Sequence, residues 1–149
     1  MDPTVQMIVH GFLVSGIGII YGFFHRATLK KHPPTDRRTD LWRAAHSSTS
    51  VAGALMIAIG AAFASLDVEP AATWPLVLVW PMLLCTILTG YAFAAAIGTA
   101  ALSTHELRGH TWGATSLNRV SWVLYTIATT ACVVSSLLHL PVLWWLVWR

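Results

Sequence analysis

Apolar residues in this chain gather into long unbroken runs, without the spacing that would mark one face of a soluble helix or strand. Four runs stand out, roughly Val5–Phe24, Ala44–Leu66, Trp74–Leu102 and Ser121–Trp148. Each reaches the ~20 residues that a helix needs to cross ~30 Å of hydrocarbon. Inside a bilayer no water is at hand for the amides, so each run must satisfy its own backbone hydrogen bonds, which a helix does. The pattern predicts an all-α fold, an integral membrane four-helix bundle, with residues 1–149 forming a single domain.

Composition sharpens this picture. Hydrophobic residues make up 56% of the chain and charged ones 10%, against about 25% charged in ordinary soluble domains. The connections are too short for a soluble domain, so function is expected in the bundle or its loops. Met1-Asp2-Pro3 lacks the basic start of a signal peptide, and the first run is read as a retained helix.

The formal charge of +3 does not point to nucleic acid, because the positive residues follow the membrane pattern. Arg26, Lys30, Lys31, Arg37, Arg38 and Arg43 cluster around the first connection, and Arg108 and Arg119 around the third. Asp67 and Glu69 are the charged residues of the second. The positive-inside rule then puts both basic loops in the cytoplasm and both termini outside, as in a multi-pass protein of a bacterial inner (cytoplasmic) membrane.

The connections differ in character. Pro33-Pro34 breaks any helix in the first, and Asp40 or Thr39 is expected to cap the second helix. The second is expected to be a short turn ending at Pro70. The third, Ser103 to Ser116, holds His105, Glu106, Arg108, Gly109, His110, Trp112 and Gly113, too rich a mixture for a spacer. Trp144, Trp145 and Trp148 read as an interfacial aromatic belt. Cys85 and Cys132 read as small apolar core residues rather than a disulfide or a metal pair.

The seven histidines carry the candidate chemistry. His25 and His32 flank the basic loop and read as solvated. His139, before Pro141, reads as an interfacial hydrogen-bonding residue. His105 and His110 lack the partner spacing of a zinc site. His10 and His46 are embedded, each about five residues into its helix, where an imidazole normally has a partner. Consecutive helices run antiparallel, so more than ~15 Å of depth should separate the two at 1.5 Å per residue. One iron within one chain cannot take both. Spacing leaves His46 open between a single haem or metal ligand and a packed, hydrogen-bonded helix residue.

Several stretches together resemble one family, the styrene oxide isomerases, over most of the chain. Helix one carries His10-Gly11 and then a glycine-rich run. Trp42 followed by Ala45-His46-Ser47 is similar to the family's Trp-x-x-Ala-His-Ser, in which the histidine is the axial haem ligand. Tyr91 stands at the family's separation for its active-site tyrosine, and Arg108-Gly109-His110-Thr111-Trp112-Gly113 resembles its Arg-Gly-x-Thr-aromatic-Gly. Two positions depart from the pattern. Ala44 replaces an arginine, with Arg43 one place earlier. Ala52 replaces an asparagine that helps to position the epoxide, and Asn118 is the one asparagine in the chain.

The resemblance implies haem b, with His46 as its axial ligand and Arg43 or Arg108 (with Arg119 a further choice) pairing with the propionates. It implies a homotrimer in the lipid bilayer with haem between subunits. The implied reaction is isomerisation of a lipophilic epoxide to an aldehyde or ketone, with ferric haem as Lewis acid and Tyr91 orienting the oxygen. Two other readings stand beside it: a haem b membrane anchor or electron carrier, and a bundle without cofactor that binds another membrane protein.

Overall fold

The computed structural model describes residues 2–68, 70, 72–103 and 116–148, and those residues form four long helices and no strand. They are α1 (Pro3–Leu29), α2 (Arg37–Ser65), α3 (Val79–Ser103) and α4 (Ser116–Trp148), with a single 3₁₀ turn, Leu76–Leu78, leading into α3. All four are long and apolar enough to cross a membrane. The predicted architecture holds, with α1, α2 and α4 reaching a turn or so beyond the apolar runs into polar flanks.

Local chemistry explains the ends. Asp2 caps α1 by accepting hydrogen bonds from the Thr4 amide (2.8 Å) and hydroxyl (2.6 Å), and Pro3 occupies the first turn, where no amide hydrogen is needed. Those bonds, the hydroxyl first, hold the Asp2 carboxyl below its usual range. The cap of α2 is Asp36, accepting from the Arg38 amide at 2.7 Å, and not Asp40 or Thr39 as expected. Helix can resume as soon as Pro33-Pro34 is passed, which frees Asp40 to pair with Arg43 at 2.8 Å. The second connection also runs past Pro70, because Val68 is buried and the chain turns again at Thr73–Pro75 before the 3₁₀ turn.

The bundle reverses the layout of a soluble one. Large side chains such as Phe12, Ile19, Phe23, Leu55 and Leu137 face outward, and glycine and alanine line the contacts between helices. Lipid is as apolar as leucine, so association rests on close packing, which small residues permit. The α1–α2 pair is the tightest. A Cβ on Gly11 would lie 2.8 Å from the Gly53 carbonyl oxygen, and one on Gly18 would lie 2.8 Å from the Ser50 amide nitrogen. α3 packs across this pair, with Gly90 under the Met56 sulfur and Gly98 under the Tyr21 hydroxyl.

α4 rests mainly on α3 and follows it through side-chain hydroxyls. Ser121 donates to the Ala96 carbonyl at 2.8 Å, and Ser135 meets Thr86 at 2.6 Å. At the end holding the chain termini, Met7, Met56, Phe63, Val79, Met82 and Val142 make a core shared by all four helices. The core at the opposite end is smaller and built from Trp42, Ala45, Ile97 and Ala101, without α4. Cys85 and Cys132 are free thiols, the first half-buried and the second exposed.

Glycine at position 53 is required by contact. An added Cβ there would sit 2.5 Å from the Ser15 amide nitrogen and 2.6 Å from the Gly11 carbonyl oxygen, whereas one at Gly16 meets nothing within 4 Å. Gly53→Ala is expected to cost about 1–3 kcal/mol through overpacking. Gly16→Ala should be neutral or stabilising by up to ~1 kcal/mol through helix propensity. Thermal unfolding of the two variants in one detergent, followed by tryptophan fluorescence, checks the contrast.

Candidate functional site

His46 is built into the α1–α2 contact, nine residues (about two and a half turns) inside the start of α2, the end where the basic residues gather. Its Nδ1 lies 2.8 Å from the Gly18 carbonyl oxygen. A carbonyl accepts only, so Nδ1 carries the proton and donates it, which in the neutral ring leaves the lone pair on Nε2. The ring fits because α1 has no side chain beneath it. A Cβ at Gly22 would stand 3.0 Å from Nδ1 and 3.1 Å from Cε1. The imidazole is half-buried, fixed on one side and accessible on the other.

Around it stands an aromatic group. Trp42, one turn earlier on α2, is buried, stacks on Phe24 with centroids 4.8 Å apart and meets Tyr21 at 5.6 Å. Tyr21 donates to the Ala94 carbonyl at 2.9 Å, which ties α1 to α3 at this level. Arg43, three residues before His46 and so near the same helix face, is exposed and paired with Asp40. A surface pair of this kind contributes little net stability, so Arg43 can exchange Asp40 for another anion at small cost. Ser47, on the other side of His46, donates to the Arg43 carbonyl at 2.8 Å.

Tyr91 belongs to a different contact. Its hydroxyl shares a 2.9 Å hydrogen bond with His10 Nδ1, and the two rings meet edge to face at 5.6 Å. The pair joins α1 to α3, whereas His46 joins α2 to α1. Gly22 lies against His46 and Gly11 against Ile57, so His10, one residue beyond Gly11, sits twelve residues along α2 from His46, about 18 Å in depth. The expected separation of the two embedded histidines is therefore present, and a single iron cannot take both within one chain. Tyr91 and His46, taken together in the sequence, open on different helix contacts.

Ala52 and Gly90 lie on opposite walls of an apolar cavity of about 180 Å³ between α2 and α3, shared with Leu55, Met56, Ile59, Thr86, Thr89 and Phe93. Asn118 does not stand in for a polar group there. It precedes Ser121, which bonds at Ala96, and this register puts it about nine residues, or ~13 Å, from the level of Gly90. Among the other candidates, His139 donates from Nδ1 to the Ser135 carbonyl at 2.7 Å and stacks on Phe63, a structural role as expected. His32 lies 3.4 Å from Asp36. Arg108, His105 and His110 lie outside the described residues. Thr49, which sequence reasoning passed over, is fully buried one turn after His46, and its hydroxyl has no hydrogen-bond partner. Nothing in the sequence separates it from the serines around it.

A family model described as styrene oxide isomerase matches residues 4–148, nearly the whole chain. The chain belongs to the styrene oxide isomerase family. No curated protein and no solved structure matches it.

In this member of the styrene oxide isomerase family, His46 has its Nδ1 tied to a backbone carbonyl. The described residues hold no group of three His, Cys, Asp or Glu side chains able to bind a bare metal ion. A porphyrin brings four of its own nitrogens and asks the protein for one axial donor. A neutral imidazole whose other nitrogen donates to a backbone carbonyl has the chemistry of such a donor. The donor chemistry of His46 therefore fits haem, and the exposed Arg43 guanidinium lies about one turn away on the same helix.

Gly22 makes a prediction. Gly22→Val would push branched carbons into the imidazole and displace it from the Gly18 carbonyl. Loss of a bond that orients an axial ligand typically weakens metal binding 10–100-fold. Haem titration of the purified variant should show a loss of about that size, with helix content by circular dichroism unchanged.

Proposed function

We propose that this protein is a haem b-dependent epoxide isomerase that converts a lipophilic epoxide into an aldehyde or ketone. Family membership supports the reaction class, and the observation that carries the cofactor is the His46–Gly18 bond, which leaves Nε2 as the nitrogen that would hold the haem iron. Arg43, and Arg108 from the third connection, would pair with the propionates. Bound haem would supply a Lewis acid for the epoxide oxygen, worth several kcal/mol of charge stabilisation.

The chain's own residues supply the rest. The surroundings of α1 to α3 are almost wholly apolar, so they admit a lipophilic substrate laterally and keep out water that would trap a carbocation as diol. The C–O bond opens at the carbon that better bears positive charge, hydride moves from the neighbouring carbon, and a carbonyl forms with no atom gained or lost. The Tyr91 hydroxyl hydrogen-bonds the epoxide oxygen. His46 and Tyr91 face different helix contacts, so a site using both is completed between copies, in keeping with a homotrimer holding haem at its subunit interfaces. The apolar cavity at Ala52 favours substrates that need no amide for orientation. The setting is a bacterial inner membrane with the basic loops in the cytoplasm.

An electron-carrier reading would call for a second histidine ligand, and His10 is engaged with Tyr91 about 18 Å away in depth. Two expected outcomes test the isomerase. Protein purified in detergent shows a Soret band that His46→Ala loses. Aryl and terpene epoxides give carbonyl products by gas chromatography, with turnover abolished in the same variant. Unchanged haem content in His46→Ala, or diol as the sole product, contradicts the proposal.

A further inference from the structure

A polar pair within an apolar bundle is costly unless each member serves the other. His10 and Tyr91 are such a pair. They come from α1 and α3, meet at 2.9 Å through Nδ1 and the phenol oxygen, and pack edge to face with planes 83° apart. Among the described residues neither half-buried side chain makes another hydrogen bond, so each is the other's partner in an apolar setting. A tyrosine held at both ring and hydroxyl has lost most of its freedom about its two side-chain torsions.

We propose that His10 is the positioning residue for Tyr91: its Nδ1–H donates to the phenol oxygen, leaving the phenol O–H free to donate to an epoxide oxygen. This rests on the reading above that Tyr91 meets the substrate. The direction of the bond follows from what each tautomer leaves unpaired. With the proton on Nδ1, the imidazole keeps a bare acceptor at Nε2; with the proton on Nε2, it keeps an unpaired N–H in an apolar layer. The first arrangement leaves no unpaired N–H against hydrocarbon, and it alone leaves the phenol O–H unspent for a substrate. Donation into the phenol oxygen also polarises the O–H outward, as hydrogen bonds in chains reinforce one another. The pair thus fixes where the hydroxyl proton points before any substrate arrives, which is the saving that orientation contributes to catalysis.

Nuclear magnetic resonance in detergent tests the bond without relying on turnover. In protein carrying ¹⁵N-histidine, with His10 assigned by His10→Asn, the proposal expects Nδ1 in the protonated range and Nε2 in the bare range; the opposite tautomer overturns it. In protein carrying ¹³Cζ-tyrosine, with Tyr91 assigned by Tyr91→Phe, the Tyr91 signal should move in His10→Phe and return toward its original place in His10→Asn. The asparagine amide can donate from nearly the Nδ1 position. A signal unmoved in His10→Phe, with the helix content intact, also overturns it. On turnover, His10→Phe should lower kcat about 100-fold, the size expected for a misplacement near 1 Å. KM should stay within about twofold, the Soret band should be unchanged, and His10→Asn should recover most of the loss. If Tyr91→Phe keeps full turnover, the active-site reading of Tyr91 fails while the resonance experiments still decide the bond.

Discussion

The bond from His46 Nδ1–H to the Gly18 carbonyl sets the terms for everything around it. It needs α1 and α2 to approach closely, and that approach needs glycine at 11, 18, 22 and 53, where any side chain would strike the other helix. Once made, it fixes the tautomer, the ring plane and the direction in which Nε2 points. A membrane helix rarely carries an imidazole without such a partner. Here the partner occupies one nitrogen and leaves the other for chemistry.

The same constraint explains the uneven architecture. Packing in lipid cannot draw on the hydrophobic effect between helices, so it is strongest where backbones come closest. α1 and α2 form a rigid hairpin along the glycine seam, α3 lies across it, and α4 is held to α3 by Ser121 and Ser135. Two polar contacts cross the apolar interior near opposite ends of α1, one at His46 and one at His10–Tyr91. In a single chain they do not converge. The proposed site needs a second copy to bring an iron held by one face near a hydroxyl held by another.

Much of this was legible in the residues. The four apolar runs gave the helices, because bilayer thickness leaves little choice of length or conformation. His46 stood out through its depth and neighbours, and antiparallel topology already separated it from His10. Register was not legible. That Tyr91 meets His10, and that Gly22 lies beneath the His46 ring, depends on how far one helix slides along another, and glycine-rich faces permit several slides. The cap at Asp36 was missed for a local reason: with acids at both 36 and 40, the sequence does not say how soon helix resumes after Pro33-Pro34. Ala52, a departure from the family pattern, gained meaning only when it appeared on the wall of an apolar cavity.

The central claim, a single fixed imidazole with its far nitrogen free for iron, is met most directly by resonance Raman spectroscopy of the reduced, haem-loaded protein. The account predicts a five-coordinate high-spin spectrum with an iron–histidine stretching band that shifts on ¹⁵N labelling of histidine and vanishes in His46→Gly. A six-coordinate low-spin spectrum with two histidine ligands, or an iron–histidine band that survives in His46→Gly, would contradict it.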